Sequence, residues 1–282
     1  MTHMKFIFLL IISFLFFQFS TSAQNFQLDL YAGISNYRGD LQNQAFLFNQ
    51  SHLGGGAGLS YRVTDNFYLR TALILGKVSG SDKYGKNQSR NLNFTSGITE
   101  GNLEVVYYIN PLVVHSFSPY VFAGLSVYHF NPYTYDTLGK KIYLKPLSTE
   151  GEGFLPGVKN YNLTQMGIPM GAGIKLGLSE NISVGVEIGI RKLFTDYLDD
   201  VSTTYVDESL LLANRGPEAV ELAYRGNELK NGILQYPPAG QKRGSPKAKD
   251  MYYFTLATLS FRLGAVNFSR THSQWACPKN VL

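Results

Sequence analysis

The sequence is poor in charged residues, tryptophan and cysteine, and beyond its first residues it lacks a long apolar run. Charged residues make up 16% of the chain and hydrophobic residues 44%, a balance that excludes disorder for most of its length. No stretch after the N-terminus approaches the length of a transmembrane helix. Any membrane crossing therefore has to be made by a closed β-barrel.

Tyrosine, phenylalanine and glycine are abundant by contrast. The chain contains 19 Tyr, 19 Phe and 28 Gly. Aromatic side chains suit pleated surfaces and glycine suits tight bends, so this composition favours an all-β fold. The formal charge of +5 is concentrated in Arg225 to Lys249 and in the C-terminal tail. A basic excess of this size suits lipid head groups or polysaccharide.

The N-terminus has the order of features found in a secretory signal peptide. Lys5 is followed by the apolar stretch Phe6 to Phe17 and then by Thr21-Ser22-Ala23. We expect cleavage after Ala23. A retained membrane anchor is the alternative, but the apolar stretch is shorter than the ~20 residues that span hydrocarbon. For an exported chain we expect no nucleic-acid partner.

Apolar and polar residues alternate with period two in segments of about ten residues. From Ile182 to Arg191 every second residue is aliphatic, and the residues between are Ser, Gly, Glu, Gly and Arg. The segment Ile168 to Leu176 repeats the pattern. Such segments are typical of transmembrane strands. The alternation predicts eight strands, at approximately 26–38, 53–63, 67–78, 92–109, 119–130, 163–177, 182–194 and 251–264.

The connections between these strands alternate between short and long. Those at 64–66, 110–118 and 178–181 are short, whereas those at 39–52, 79–91, 131–162 and 195–250 are long. This alternation predicts short periplasmic turns, long extracellular loops and two periplasmic termini. The predicted fold is an all-β, eight-stranded antiparallel transmembrane β-barrel in the bacterial outer membrane. We expect a signal peptide at 1–23, the barrel at 24–264 and a periplasmic tail at 265–282.

The opposite faces of the strands carry charged residues among many glycines. An eight-stranded barrel has an interior that side chains just fill, so these charges should pair inside the lumen and leave no open channel. The aliphatic faces would then contact outer-membrane lipid. A soluble sandwich is the alternative, and it would bury the aliphatic faces instead. The charges predicted to form the lumen network are Asp29, Arg62, Arg70, Glu104, Lys175, Glu187, Arg191 and Arg262.

The longest loop, Thr195 to Asp250, opens with a cluster of acidic residues. They could ligate calcium, or they could form a solvated loop or an internal salt-bridge network. Their spacing does not match an EF-hand, so we expect no metal and no cofactor. Gly216-Pro217 interrupts the helix-compatible segment Glu208 to Arg225, which predicts at most one short helix. The cluster consists of Asp196, Asp199, Asp200, Asp207 and Glu208.

Candidate catalytic residues are sparse. A hydrolase at the barrel rim would place a histidine near a carboxylate, and His52, His129 and Asp199 all fall near the predicted extracellular rim. No spacing links these three residues. We therefore expect no enzymatic activity and no small-molecule substrate.

The C-terminal tail contains the single cysteine, Cys277. In an oxidising compartment an odd cysteine forms an intermolecular disulfide or remains a spare thiol. A barrel should end near its last strand, so the tail beyond it predicts partner docking, with a frayed terminus as the alternative. We expect Trp275, Cys277 and Pro278 to take part in that docking.

Five segments of the chain resemble the PorG-like outer-membrane barrels. They are Gly33 to Leu41, Pro119 to Gly124, Lys145 to Gly151, Gly167 to Pro169, and the stretch Phe-Thr-Asp-Tyr-Leu-Asp-Asp-Val-Ser from Phe194 to Ser202. The last of these is long enough to be specific. Its extracellular loop motif consists of Asp196, Tyr197, Asp199 and Asp200.

The resemblance implies membership of the type IX secretion and gliding apparatus. In that apparatus PorG-like barrels associate with a periplasmic ring built from a PorK-like lipoprotein and a PorN-like protein. No catalytic residues are carried over. The expected function is a non-enzymatic barrel that anchors or docks this ring, with Cys277 offering a disulfide link. The alternative is a surface barrel that binds polysaccharide or another cell through its long loops.

Overall fold

The computed structural model of the chain describes residues 25–42, 44, 47–112 and 116–263. The predicted signal peptide lies outside these residues. So do Trp275, Cys277 and Pro278 in the tail, and their assignments stay predictions.

Strands dominate the described residues, and two short helices lie in one long loop. The strands are β1 Phe26–Arg38, β2 His52–Arg62, β3 Phe67–Ser81, β4 Asn93–Tyr108, β5 Phe117–Tyr135, β6 Lys141–Tyr143, β7 Thr164–Gly177, β8 Ile182–Leu193 and β9 Met251–Leu263. The helices are α1 Glu208–Arg215 and α2 Pro217–Ala223. Single 3₁₀ turns occur at Phe48–Gln50, Asp82–Tyr84, Gln88–Arg90, Lys145–Leu147 and Gly226–Glu228.

Eight of these strands close into an antiparallel barrel. The hydrogen-bonded order is β4-β3-β2-β1-β9-β8-β7-β5, and β5 pairs again with β4. Phe26 of β1 pairs with Leu263 of β9, so the first and last strands meet at the end of the barrel that carries the short turns. The predicted eight-stranded barrel is confirmed. The short β6, which pairs with the end of β5, is an addition that the alternation did not predict.

Glycines let neighbouring strands of the wall approach closely. A β carbon at Gly56 in β2 would overlap the carbonyl oxygen of Leu73, and one at Gly124 in β5 would overlap that of Leu103. A larger residue at either position would push the strands apart.

The outward face of the barrel is aliphatic and exposed. Leu73, Leu103 and Ile188 are 54%, 53% and 50% exposed, whereas the inward-facing Asp29 and Glu100 are fully buried. A soluble sandwich would show the opposite arrangement, so that alternative is excluded.

The exposed aliphatic side chains form a band that we call the apolar belt. On β3 it runs from Phe67 to Leu75, close to the ~9–11 residues that a tilted strand needs to cross a bilayer. Aromatic side chains flank it at the turn end, where the rings of Phe67 and Tyr107 lie 4.9 Å apart. At the other end the outward positions become polar, as at Thr99 and its neighbour His129.

The long connections fold together into a compact layer over the barrel end opposite the turns. We call this layer the cap; it comprises the described residues of 39–51, 82–92, 136–163 and 194–250. Leu198, Val201 and Leu222 of the cap belong to the same buried cluster as Tyr252 and Phe254 of β9. The cap core is thus continuous with the upper interior of the barrel.

Two helices lie in the cap, so the prediction of at most one is wrong. Asp207 begins α1, and its carboxylate accepts hydrogen bonds from the backbone of Ser209 and Leu210 at 3.0 and 3.1 Å. Gly216 then adopts a φ of 83°, which favours glycine, and Pro217 opens α2 in a position where its missing N–H is tolerated. No helix in the described segments combines the length and apolar character that a membrane crossing requires.

Candidate functional site

The polar contacts in the lumen form three tiers between the turns and the cap. Asp29 is the centre of the tier nearest the turns. The Lys175 Nζ lies 2.9 Å from Asp29 Oδ1, and Gln27 donates to the same oxygen at 2.7 Å. The hydroxyls of Ser60 and Ser260 also donate to this carboxylate, each at 2.5 Å. A buried carboxylate surrounded by four donors is satisfied without water.

Arg70 forms the middle tier and bridges two glutamates. Its Nη2 lies 2.6 Å from Glu104 Oε2, and its Nη1 lies 2.8 Å from Glu187 Oε2. The Tyr120 hydroxyl donates to the same oxygen of Glu187 at 2.7 Å. The guanidinium also packs over the Phe122 ring, 4.5 Å from its centre. Arg70 therefore ties together side chains from four strands.

Arg191 and Glu100 form the upper tier. The Arg191 Nε lies 3.1 Å from Glu100 Oε2, its Nη2 lies 3.1 Å from Oε1, and the Tyr252 hydroxyl donates to Oε2 at 2.6 Å. Glu100 was missing from the predicted network. The signal was present, because the alternation that turns Glu104 inward turns Glu100 the same way.

Arg62 and Arg262 lie outside these tiers, which corrects their assignment to the network. The Arg62 Nη2 donates to Asn25 at 2.8 Å, and its Nη1 lies 3.8 Å from the exposed Asp65. Arg262 pairs with Gln27 at the same end of the barrel and is only partly buried. Both arginines lie where the lumen meets solvent, so neither needs an internal partner.

The three tiers place buried ion pairs in the lumen between the turns and the cap. Such pairing is expected of an eight-stranded barrel, whose interior is just filled by side chains.

Tyr37 joins two carboxyl groups where the barrel meets the cap. Its hydroxyl lies 2.5 Å from Asp199 Oδ2 and 3.1 Å from Asp250 Oδ1. Burial raises the pKa of Asp199 and of Asp250, and the charges of Asp199 and Asp196 raise that of Asp250 further. One hydroxyl proton cannot serve two carboxylates, and burial favours protonation of this pair.

The loop motif from Asp196 to Asp200 is buried scaffold rather than exposed surface. Asp200 accepts hydrogen bonds from Thr149 at 2.8 Å and from the Tyr161 hydroxyl at 2.7 Å. Asp196 accepts from the Ser202 hydroxyl at 2.9 Å, and the Tyr197 ring stacks on that of Tyr161 with centres 4.8 Å apart.

Buried arginines complete the cap. Arg243 Nη1 lies 2.9 Å from Glu150 Oε1, and Glu150 also accepts from the backbone of Ser202 and Thr203 at 2.9 and 2.7 Å. Of the acidic cluster, Asp196, Asp199 and Asp200 are buried and accept hydrogen bonds from hydroxyl groups. Asp207 and Glu208 are exposed. Across residues 25–263, apart from the few not described, no group of three His, Cys, Asp or Glu side chains is placed to hold a metal ion.

Burial also raises the pKa of two further carboxyls in the cap. That of Glu152 rises to about 8, with the charges of Asp200 and Glu150 adding to the effect. That of Asp196 rises to about 7. Burial therefore shifts both groups toward the protonated form in the folded cap.

The structure does not bring the candidate hydrolase residues together. His52 Nε2 lies 2.8 Å from the Ser79 hydroxyl, and His129 Nδ1 lies 3.0 Å from the Thr164 hydroxyl on the outside of the barrel. Asp199 is buried against Tyr37. Strands β3 and β4 separate His52 in β2 from His129 in β5.

A pocket of about 500 Å³ opens in the cap. Its walls come from Asp40, the segment 87–90 and the segment 205–244. Sequence reasoning missed it because residues far apart in the chain assemble it. Two local sequence features, Pro237-Pro238 and the basic stretch Gln241-Lys242-Arg243, lie in the wall.

Solved structures similar to this chain include outer-membrane proteins. Neisserial surface protein A has a TM-score of 0.42 and 10% identity, covering 85% of this chain and 97% of its own. OprG of Pseudomonas aeruginosa has a TM-score of 0.39 and 10% identity, with coverages of 85% and 97%. A major outer membrane protein of Thermus thermophilus has a TM-score of 0.38 and 11% identity, with coverages of 84% and 99%.

No protein of curated function matches the sequence. A family model described as a domain of unknown function, DUF6089, matches residues 4–212. The matched range contains all three tiers of the lumen except Tyr252 and Ser260, and it contains the loop motif. Because it covers well over half of the sequence, the chain belongs to the DUF6089 family.

Proposed function

We propose that this protein is a sealed outer-membrane barrel that acts as a non-enzymatic anchor and presents its cap to a binding partner. The apolar belt carries the proposal. Exposed aliphatic side chains surround the barrel while its charges are paired inside, and an apolar surface of this extent is stable only against lipid. Because paired side chains occupy the lumen, the cap is the surface that selects the binding partner.

The proposed orientation has the cap outside the cell and both termini in the periplasm. Its support is the contrast between the two ends of the barrel. The turn at residues 64–66 is short, whereas the cap contains helices and a buried core. Barrels of this class have short periplasmic turns and longer extracellular loops.

Two epitope insertions test this function. A tag after Ala239, in an exposed part of the cap, should be labelled by antibody on intact cells. A tag after Asp65, in the exposed turn, should be labelled only after permeabilisation. Both variants should remain in the membrane fraction after alkaline extraction. Recovery of the chain in the soluble fraction, or the reverse labelling pattern, would contradict the proposal.

A second candidate function is service in the type IX secretion apparatus. One observation favours it: three of the segments that resemble PorG-like barrels meet in one structural unit. Tyr37 from the first contacts Asp199 from the last, and Thr149 from the third contacts Asp200. These three segments therefore meet where the cap joins the barrel, whereas the other two lie in strands β5 and β7. The partner would be the periplasmic PorK-like and PorN-like ring, docked through Trp275, Cys277 and Pro278.

Removal of residues 265–282 tests this second candidate. The truncated barrel should still reach the membrane but should no longer co-purify with ring proteins. In the full chain, a mixed-disulfide band on a non-reducing gel should disappear on Cys277→Ser. Unchanged co-purification after truncation would exclude tail docking, and absence of the band would exclude the covalent link.

A further inference from the structure

The pocket in the cap has the size and construction of a small-ligand site. Its volume of about 500 Å³ lies within the ~300–1,000 Å³ that is usual for such sites. It is outside the apolar belt and, under the proposed orientation, faces the cell exterior. Most of its walls follow residue 212, where the family match ends.

Three tyrosines form the aromatic side of the pocket. The rings of Tyr205, Tyr224 and Tyr236 are mutually edge-to-face, with centres 5.8 to 6.3 Å apart. This packing holds the rings rigidly. The Tyr236 hydroxyl is buried and has no hydrogen-bond partner among the described residues. The pocket thus offers apolar ring surface on this side.

The polar side of the pocket includes three amides beside Ser89 and four charged side chains. Asn87, Gln235 and Gln241 line it and are exposed. A carboxamide both donates and accepts hydrogen bonds. Hydroxyl groups have the same dual character, whereas phosphate and carboxylate ligands need donors alone. The amides therefore match a polyhydroxylated ligand.

The charges that line the pocket are balanced. Arg90 is paired with Asp82 at 2.6 Å, and Arg243 is paired with Glu150 at 2.9 Å. The charges of both guanidinium groups are therefore compensated by carboxylates that do not line the pocket. The remaining charged groups in the lining are Asp40 and Lys242, one of each sign. A site of this kind has no net preference for an anion or a cation.

We propose that this pocket binds a neutral saccharide, such as a terminal or internal disaccharide unit of a surface polysaccharide. The apolar C–H face of a sugar ring packs on the tyrosines, and its hydroxyls bond to the amides and Asp40. This assignment rests on the proposed function, since it requires the cap to face polysaccharide outside the membrane.

Titration of the full chain with defined disaccharides tests the proposal. The protein should be held in a detergent without a sugar head group, such as an amine oxide, because a maltoside would compete. Cellobiose, maltose and lactose are the neutral probes, and digalacturonate is the charged probe. At least one neutral disaccharide should bind in the millimolar range or tighter. Binding of none overturns the proposal, and binding of digalacturonate alone overturns the neutral assignment.

Variants locate the binding. Tyr236→Ala should weaken binding about tenfold or more, and Gln235→Ala, which changes an exposed side chain, should weaken it several-fold. Lys247→Ala, in the same long loop but outside the pocket lining, is the matched control and should leave binding unchanged. If Tyr236→Ala fails to fold, Gln235→Ala decides. Unchanged affinity in a folded Gln235→Ala and Tyr236→Ala pair overturns the site.

The failure of this inference can be told apart from that of the proposed function. Correct membrane insertion and surface labelling without saccharide binding would reject the pocket assignment alone. Saccharide binding by a chain that is labelled only after permeabilisation would reject the orientation but keep the pocket.

Discussion

At the scale of single residues, the lumen depends on charges that have no access to water. Arg70 is the clearest case, because it alone compensates Glu187 and is the nearest partner of Glu104. Replacing it by methionine keeps most of the volume but leaves two buried carboxylates facing each other. We expect Arg70→Met to lower the free energy of unfolding by about 3–5 kcal/mol. Urea unfolding of the barrel in lipid vesicles would measure this loss.

Arg62→Met is the matched control for that experiment. Arg62 also points inward from β2, but its partner Asp65 is exposed, so the expected change is about 0–1 kcal/mol. Adding Glu104→Gln and Glu187→Gln to Arg70→Met should restore part of the stability, since the unpaired charges are then removed. Equal effects of Arg70→Met and Arg62→Met would show that the ion pairs of the middle tier do not account for the expected loss of stability.

Alternation alone placed most of the lumen residues, because the face of a strand residue depends only on its parity. It correctly turned Asp29, Arg70 and Glu187 inward, but it could not say which of them meet. Arg62 lies at the end of the lumen, beyond the tiers. The alternation tells which face of a strand a residue is on, but not how far along the lumen it lies. The contacts of the cap could not be predicted from the sequence for another reason. Arg243 lies 93 residues from Glu150, and no local pattern links them.

At the scale of elements, the cap is a folded layer whose stability depends on protonated carboxyl groups. Burial raises the pKa of Glu152 to about 8, above the ordinary value that this group has in an unfolded loop. Because the pKa of Glu152 is higher in the folded cap than in an unfolded loop, its protonated carboxyl stabilises the cap fully at a pH below the ordinary pKa. This stabilisation is lost as the pH rises through about 8. Asp196, with a pKa raised to about 7, acts in the same direction.

We therefore expect the cap to loosen as the pH rises from about 4.5 to about 8 while the barrel stays folded. Amide hydrogen exchange in residues 195–250, corrected for the intrinsic effect of pH, should show falling protection over this range. Glu152→Gln should flatten that dependence, and Glu208→Gln, an exposed carboxylate in the same loop, should not. Rising protection with pH, or the same slope in Glu152→Gln, would contradict the role of burial.

Element boundaries were predictable in the belt and less so above it. The outward faces of β3 and β5 lose their aliphatic pattern past Leu75 and Val127, yet the strands continue to Ser81 and Tyr135. Cap residues bury the sheet on both sides there, which removes the contrast that alternation needs. The break between α1 and α2 was misjudged for a similar reason, because Pro217 can begin a helix as readily as it ends one.

At the scale of the whole molecule, the apolar belt and the cap have different roles. The belt fixes the barrel in lipid, the paired lumen makes it rigid, and the cap presents a built surface. Rigidity suits an anchor or a receptor, since a partner that docks on the cap then pulls on the entire barrel. It does not suit a pore, because opening one would require breaking all three tiers of buried ion pairs.

The claim that the belt faces lipid can be tested at a single outward position. Leu103 lies on β4 midway between Tyr107, in the aromatic flank, and Thr99, at the polar edge of the belt, and it is 53% exposed. Leu103→Arg should lower the free energy of unfolding in a bilayer by about 2–4 kcal/mol, whereas Thr99→Arg on the same face should cost about 0–1 kcal/mol. Urea titration in vesicles would separate the two. Arginine in water costs an exposed surface nothing, so equal stability of both variants would mean that hydrocarbon does not surround this barrel.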